Sequence, residues 1–390
     1  MYSTRTFALR LLLVCLISPL VAAQVYTITD LGPISPTAIN TVGQVVGNLN
    51  GHAFIWMKAK RLRDLGILPS GTFSRAAAIN DLGAVAGTAD GPGIATSGSF
   101  GSYQCSNLIQ PFVWTRTNGF RVPPSVPDPW PSDTFPACGF SVSATGMNAF
   151  GQVVGRDGPG GDNFDWGFLW TSADGIVLLG SSWRPTSVNG ISNTGLMVGQ
   201  DGNIGSVGLG HATSWNNGTT TDLATLDGST NNSSAKGVND VGQVVGWSTT
   251  TPISFPYDGA CDGDQGSGCP VHAVLWTAGG AIRDLGTLPG DTNSVATRIN
   301  FFGQAIGSSG NTFVFHEGLS PDLAREVLGR PFIWSEDSGM RDLNTLVRGN
   351  SGWVLSSATD INIWGQIVGQ GTLNGKAHGF LLTPRAFFKF

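Results

Sequence analysis

The stretch AINDLGAVAG at residues 78–87 recurs along the chain as GVNDVGQVVG at 237–246 and RINFFGQAIG at 298–307. In each copy, glycines stand three and seven positions after an asparagine. The same spacing occurs in seven copies, whose first polar residues are Asn40, Asn80, Asn148, Ser192, Asn239, Asn300 and Asn362. A spacing repeated this often indicates a structural repeat rather than a local motif.

The decapeptide is typical of a β-hairpin. One strand ends at the Asn, whose side chain bonds its own backbone two residues on. We expect the first Gly to complete the turn at positive φ, and the apolar residues after it to form the returning strand. The second Gly is expected to end that strand or to let a neighbouring backbone approach closely.

Two further motifs follow the decapeptides and predict a third and a fourth strand, except that the last decapeptide is followed by the first motif alone. The first resembles HAFIW at 52–56, which is apolar on both faces of a strand. The second resembles RDLG at 63–66, and YTITDLG at 26–32 is a lone copy at the start of the chain. Four short antiparallel strands in each of seven units predict an all-β, seven-bladed β-propeller of four-stranded antiparallel blades.

The two ends of the repeat predict how the ring closes. The chain begins with a fourth-type strand at 26–32 and ends with a third-type strand, HGFLL, at 378–382. We therefore expect the N-terminal strand to complete the last blade, within a single domain over residues 24–390. A β-solenoid or β-helix is the alternative, although an open solenoid needs polar caps that the sequence lacks.

The N-terminus predicts export. Arg5 and Arg10 precede an apolar run that ends in small residues, so residues 1–23 are expected to be a signal peptide. The protein would then be secreted, extracellular or periplasmic, without a transmembrane anchor after cleavage. The chain has a net charge of −5 and only 12% charged residues, which argues against a nucleic-acid partner.

The cysteines of the expected mature chain favour disulfides in an exported protein. Proximity in sequence favours the pairs Cys105–Cys138 and Cys261–Cys269, but three pairings are open. A metal site is less favoured, because neither a Cys-x-x-Cys spacing nor a pair of histidines accompanies them.

HAFIW, RDLGILPSG and AINDLGAVAG together resemble the HAF-repeat family of exported bacterial proteins. The resemblance covers essentially the whole expected mature chain. It implies secretion or surface display and a β-propeller-like repeat. It implies no catalytic residue and no ligand.

The insertions between second and third strands predict the working face. They gather on one face of the ring, and long loops on a rigid scaffold commonly carry binding sites. They lie at 88–110, 156–166, 200–210, 247–271 and 308–330. The sequence therefore favours a monomeric, non-enzymatic protein that binds a glycan or a cell-surface protein there. The aromatic candidates for contact, which are alternatively loop anchors, are Tyr103, Trp166, Trp247 and Tyr257.

A carbohydrate-active hydrolase or lyase is the alternative function. His316 and Glu317 are its candidate acid–base pair, and SPDLAREVLG at 320–329 predicts a short helix beside them. The chain shows none of the motifs GxSxG, HExxH or a phosphate-binding loop.

The remaining polar repeats are expected to be structural. The loop acids are candidate calcium ligands, but neither acidic cluster has the register or closing Glu of a calcium loop, so no cofactor is expected. These acids are Asp157, Asp162, Asp165, Asp258, Asp262 and Asp264. The repeated His52, His211, His272 and His378 are expected to bond within their blades, and the repeated Asp of RDLG to fix turns.

Overall fold

The computed structural model describes residues 26–59, 61–97, 101–128, 141–158, 166–179, 186–202, 210–226, 228, 233–250, 270–315, 325–349 and 351–385. These residues are mostly β-strand and form seven four-stranded antiparallel blades around an axis, so the predicted seven-bladed propeller is confirmed. First strands of neighbouring blades contact one another, which places them innermost. No helix among these residues has the length and apolar character needed to cross a membrane.

The strands are numbered in chain order, and each blade runs from its first, innermost strand to its fourth. Blade 1 holds β2 (Ser35–Ile39), β3 (Val45–Leu49), β4 (His52–Met57) and β5 (Arg61–Gly66). Blade 2 holds β6 (Ser74–Ile79), β7 (Val85–Ser97), β8 (Gly101–Thr115) and β9 (Gly119–Arg121), followed by β10 (Val126–Asp128). Blade 3 holds β11 (Ser141–Met147), β12 (Val153–Gly158), β13 (Trp166–Thr171) and β14 (Gly175–Leu179).

The remaining blades follow the same order. Blade 4 holds β15 (Thr186–Ile191), β16 (Met197–Gly202), β17 (Gly210–Asn216) and β18 (Thr219–Asp222). Blade 5 holds β19 (Ser233–Val238), β20 (Val244–Thr249), β21 (Val271–Trp276) and β22 (Ile282–Gly286). Blade 6 holds β23 (Asn293–Ile299), β24 (Ala305–Phe315), β25 (Arg325–Ser335) and β26 (Gly339–Asp342), followed by a short 3-10 turn at Leu343–Thr345. Blade 7 holds β27 (Trp353–Ile361), β28 (Ile367–Leu373), β29 (Lys376–Pro384) and the N-terminal β1 (Tyr26–Gly32).

Blade 7 closes the ring as the sequence predicts. Strand β1 pairs antiparallel with β29, and Ile28 lies opposite Leu382. Tyr26 begins β1, is 1% exposed, and its N–H donates to the carbonyl of Leu346 at 2.8 Å. The two ends of the chain therefore share one blade, which excludes an open solenoid.

The turn of the decapeptide also agrees with the prediction. In blade 2 the N–H of Gly83 donates to the carbonyl of Asn80 at 2.9 Å, and Gly83 has a φ of 78°. The Asn80 side chain accepts from the N–H of Leu82 at 3.1 Å and from that of Ala84 at 3.0 Å. The first glycine of every copy has positive φ.

The second glycine lies inside the second strand, so the expectation that it ends the strand is wrong. A Cβ added to Gly307 would lie 1.9 Å from the carbonyl oxygen of Val295 and 2.9 Å from the ring of Phe332. The expected close approach of another backbone is therefore present. Opposite each of these glycines the first strand carries a β-bulge, as between Ala296 and Arg298 in blade 6.

The third strands fill the core between blades. Phe54 is 1% exposed and Ile55 4% exposed, although they point to opposite faces of β4. Ile55 packs in one cluster with Phe112 and Trp114 of blade 2. Each blade thus buries apolar side chains against its neighbour, because strands with apolar side chains on both faces must be covered on both faces.

Two of the predicted long loops are largely strand. Residues 88–110 belong mostly to the β7–β8 hairpin, which β10 and β11 join in parallel. In blade 6, Arg325 pairs with Phe315 and Leu328 with Thr312 across the β24–β25 hairpin. The predicted helix at 320–329 is therefore wrong from residue 325 onward, because cross-strand pairing overrides the local helix signals.

Candidate functional site: a cationic axial cavity

The bulges of the first strands present side chains to the axis of the ring. An extra residue in a bulged strand stays out of the ladder and redirects its side chain. The bulge residues are Thr37, Ala77, Thr145, Asn189, Lys236, Thr297 and Thr359. All but Asn189 line one cavity on the axis.

Several bulge residues also tie neighbouring blades together. The hydroxyl of Thr37 donates to the carbonyl of Ala76 in blade 2 at 3.0 Å. The hydroxyl of Thr359 in blade 7 donates to the carbonyl of Pro36 in blade 1 at 3.1 Å. These bonds cross between blades at the wall of the cavity and hold its shape.

The axial cavity has a volume of about 990 Å³. Ser308 in blade 6 and Ile109, Val327 and Leu328 in the long hairpins line it on the side of the connections between second and third strands. The insertions between second and third strands predict the working surface on this same face. The volume lies near the upper end of small-molecule sites, about 300–1,000 Å³.

The described lining residues include three cationic side chains and no carboxylate. Arg75 is exposed, and its guanidinium lies 5.3 Å from the centroid of the Phe73 ring. Lys236 and Arg298 are half-buried on blades 5 and 6. Arg298 donates to the carbonyls of Thr297 at 2.9 Å and Lys236 at 3.3 Å, which fixes its side chain on the wall.

The half-buried carboxyl group of Asp360 is influenced by the charge of Arg298. Asp360 of blade 7 accepts from the N–H of Ile39 in blade 1 at 2.8 Å and from that of Ile361 at 2.9 Å. Burial raises the pKa of Asp360, while the charge of Arg298 and the two N–H groups oppose that rise. Arg298 therefore shares its charge with Asp360, whereas Arg75 presents its charge to the cavity.

A second carboxylate positions the wall beside Arg75. Asp90 is 2% exposed and accepts from the N–H groups of Thr72 at 2.7 Å and Phe73 at 2.8 Å, and from the Thr72 hydroxyl at 2.7 Å. Burial alone would raise the pKa of Asp90, but these hydrogen bonds outweigh burial and hold the pKa below its ordinary value. The ionised carboxylate thus fastens the segment that carries Phe73.

The predicted aromatic contacts do not converge on this cavity. Tyr103 is 37% exposed on β8, and Trp166 is half-buried at the start of β13. Trp247 is fully buried in β20, so its assignment as a surface contact is corrected to a core residue. Tyr257 lies outside the described residues.

The other sequence predictions are tested only in part. His316, Glu317, Cys138, Cys261 and Cys269 lie outside the described residues, as do all the candidate calcium ligands except the buried Asp157. Cys105 is buried on β8, and the disulfides stay predictions. Within the described part of the chain, no three His, Cys, Asp or Glu side chains are grouped so that they could hold a metal ion.

The repeated histidines and aspartates bond within blades, as predicted. Nδ1 of His52 lies 2.9 Å from Asp64, whose other oxygen accepts from the N–H of Gly66 at 2.7 Å. Burial would raise the pKa of Asp64, but these two bonds hold it below its ordinary value. In blade 7, His378 bonds Asp30 of the closing strand at 2.8 Å. His211 has no such carboxylate partner among the described residues.

The comparisons with known proteins show the fold alone. Virginiamycin B lyase from Staphylococcus aureus superposes with a TM-score of 0.50 at 7% identity, covering 92% of this chain and 100% of that one. A streptogramin B lyase structure gives a TM-score of 0.50 at 9% identity, covering 93% of this chain and 98% of that one. No family model matches the sequence, and no curated protein matches it. The HAF-repeat resemblance therefore stays a prediction.

The axial cations were not among the candidate site residues predicted from the sequence. Arg75, Lys236 and Arg298 stand in first strands that are otherwise apolar or small, in SRAAAI, SSAKGV and NSVATRI. A charge in an innermost strand has to face the axis or carry a partner, because burying an unpaired charge is costly. That signal was present in the sequence.

Proposed function

We propose that this protein is an exported, non-enzymatic binding protein whose axial cavity takes an acidic glycan. The observation that carries the proposal is the charge of the cavity. Arg75, Lys236 and Arg298 line it without a carboxylate among its described lining residues, although the whole chain has a net charge of −5. A cleft of one sign concentrates ligands of the opposite sign.

The rest of the wall suits a sugar. Hydroxyl groups of Ser143 and Ser357 line the cavity and provide hydrogen-bond donors and acceptors. Phe73 adds an aromatic ring next to Arg75. The volume of about 990 Å³ accommodates several sugar rings rather than a single small anion. Tyr103, exposed on the long hairpin of blade 2, is a contact for a glycan that extends beyond the cavity.

Isothermal titration with an oligogalacturonate and the matching neutral oligogalactoside tests the proposal. The acidic glycan should bind with one site per chain, and the neutral one at least tenfold more weakly. Arg75→Gln should weaken binding of the acidic glycan at least tenfold, because charge-assisted hydrogen bonds contribute about 1.5–3 kcal/mol. Arg121→Gln, an exposed arginine on the outer strand β9, is the matched control and should leave binding unchanged.

Equal binding of both glycans, or an Arg75→Gln variant that binds like the natural chain, would contradict the proposal. The enzymatic alternative is tested in the same samples by following the length of the oligosaccharide over time. Shortening that the His316→Ala/Glu317→Gln variant abolishes would replace binding by catalysis as the function.

A further inference from the structure

The propeller contains the same arginine–tryptophan stack at two of its blade seams. Arg63 on the fourth strand of blade 1 lies over Trp114 of blade 2, 5.0 Å from the ring centroid. Arg283 on the fourth strand of blade 5 lies over Trp334 of blade 6, 5.1 Å from the centroid. The two seams can therefore be compared position by position.

They differ in what neutralises the arginine. Arg283 forms an ion pair with Glu336, two residues after Trp334. This hydrogen bond lowers the pKa of Glu336 and raises that of Arg283. In blade 2 the residue two positions after Trp114 is Arg116. The carboxylate of the 5–6 seam is thus replaced by a second cation at the 1–2 seam.

Neither arginine of the 1–2 seam has a carboxylate partner within the described ranges. Arg63 and Arg116 are both exposed and both line a cavity of about 460 Å³. Ile55, Met57, Leu82 and Trp114 form its apolar walls. Leu82 is 86% exposed, so an apolar wall faces water beside two guanidinium groups. At the 5–6 seam the larger Phe302 takes the position of Leu82.

We propose that the seam between blades 1 and 2 is a second ligand site that binds a small carboxylate with an apolar body. Its carboxylate lies between Arg63 and Arg116 and takes the place that Glu336 takes beside Arg283. The guanidinium fork matches a carboxylate geometrically, and neutralising either cation relieves the repulsion between the two. The hydrocarbon body covers the exposed surface of Leu82 and Met57, and this apolar contact removes it from water.

Isothermal titration with octanoate, octan-1-ol and octylammonium tests the charge and the apolar part separately. Octanoate should bind at one site per chain, at least tenfold more tightly than octan-1-ol, and octylammonium should bind more weakly than either. Arg116→Glu supplies Arg63 with the partner that Arg283 already has. It should weaken octanoate binding at least tenfold while the melting temperature stays equal or rises.

The reciprocal change tests the same idea at the other seam. Glu336→Arg combined with Phe302→Leu should raise the octanoate stoichiometry from one to two. Arg75→Gln, in the axial cavity, should leave octanoate binding unchanged, which separates this site from the proposed function. Equal binding of octanoate and octan-1-ol, full binding by Arg116→Glu, or no second site in the reciprocal variant would each overturn the proposal. If Arg116→Glu does not fold, Arg116→Gln gives the same comparison.

Discussion

The side-chain amide of Asn362 donates a hydrogen bond to the backbone carbonyl of Asn40 at 3.0 Å, joining residues 322 positions apart in the sequence. Asn40 in turn donates to the carbonyl of Asn80 in the next blade at 3.1 Å. The same bond to the next blade is made by Asn80, Asn148, Asn239 and Asn300. The repeated asparagines therefore form a ring of hydrogen bonds that links neighbouring blades, interrupted at Ser192.

Replacing an asparagine of this ring should destabilise the whole propeller. Asn239→Ala leaves the N–H and side-chain oxygen of Gln243 and the carbonyl of Asn300 without their bonds from Asn239. Leaving these buried polar groups without partners should lower the free energy of unfolding by about 1–3 kcal/mol. Ser192→Asn is the matched gain-of-contact variant and should stabilise by about 0.5–1.5 kcal/mol. Urea unfolding followed by fluorescence measures both, and an Asn239→Ala variant as stable as the natural chain would contradict the ring's role.

The two glycines of the decapeptide should differ in their tolerance of alanine. Gly303 has a φ of 77°, and its added Cβ would meet only the flexible side chain of Gln243 at 3.2 Å. Gly303→Ala should lower the free energy of unfolding by about 1–2 kcal/mol, because alanine is strained at this positive φ. Gly307→Ala should cost at least about 4 kcal/mol, because its Cβ meets a fixed backbone carbonyl. Thermal unfolding compares the two, and equal costs would show that the strands can separate at Gly307.

Most of the fold could be predicted because the repeat carries redundant signals. Gly43 and its equivalents mark one turn in every blade, and YTITDLG at 26–32 supplies the strand that 378–382 lacks. The reach of the Asn side chain to the next blade could not be predicted, because it depends on how closely the innermost strands approach. Nor could the extension of the third strand of blade 6 back to Arg325 be predicted, since its pairing with β24 overrides a local helix signal.

Ring closure should depend on the inward side chain of the N-terminal strand. Tyr26 is 1% exposed and packs with Leu355 and Phe380 of blade 7. Tyr26→Ala should therefore cost about 3–5 kcal/mol, as for other large buried aromatics. Thr29→Ala, on an exposed position of the same strand, is the control and should cost less than about 0.5 kcal/mol. Similar unfolding midpoints for the two variants would contradict closure by packing of β1.

The half-buried carboxyl group of Asp360 at the closing seam should give a characteristic pH dependence. Burial raises the pKa of Asp360 in the folded state. Its stabilising contribution is then complete below the ordinary Asp value of about 4, and is lost as pH rises through the raised value. Asp360→Asn cannot titrate. The unfolding free energy of the natural chain minus that of the variant should therefore be largest near pH 4 and should fall toward pH 7. Urea unfolding across this range measures it, and a constant difference would contradict the assignment.

The candidate site was less predictable than the fold. The long connections lie on the face where the long hairpins line the axial cavity, but the burial of the aromatic candidates could not be predicted, and Trp247 is a core residue. Whether Arg75, Lys236 and Arg298 meet around one cavity depends on ring closure and on the bulges. The contrast between Arg116 and Glu336 is visible in the stretches WTRTNG and WSEDSG. Only the structure shows that an arginine of the neighbouring blade stacks on the tryptophan of each stretch.

Hydrogen–deuterium exchange with and without an oligogalacturonate locates the ligand most directly. Binding in the axial cavity should slow exchange in the innermost strands that carry its lining, at 35–39, 74–79, 141–147, 233–238, 293–299 and 353–361. The outer strands at 119–121 and 219–222 serve as the internal reference and should be unaffected. Slower exchange confined to the outer strands, or none anywhere at saturating ligand, would contradict an anion-binding axial cavity.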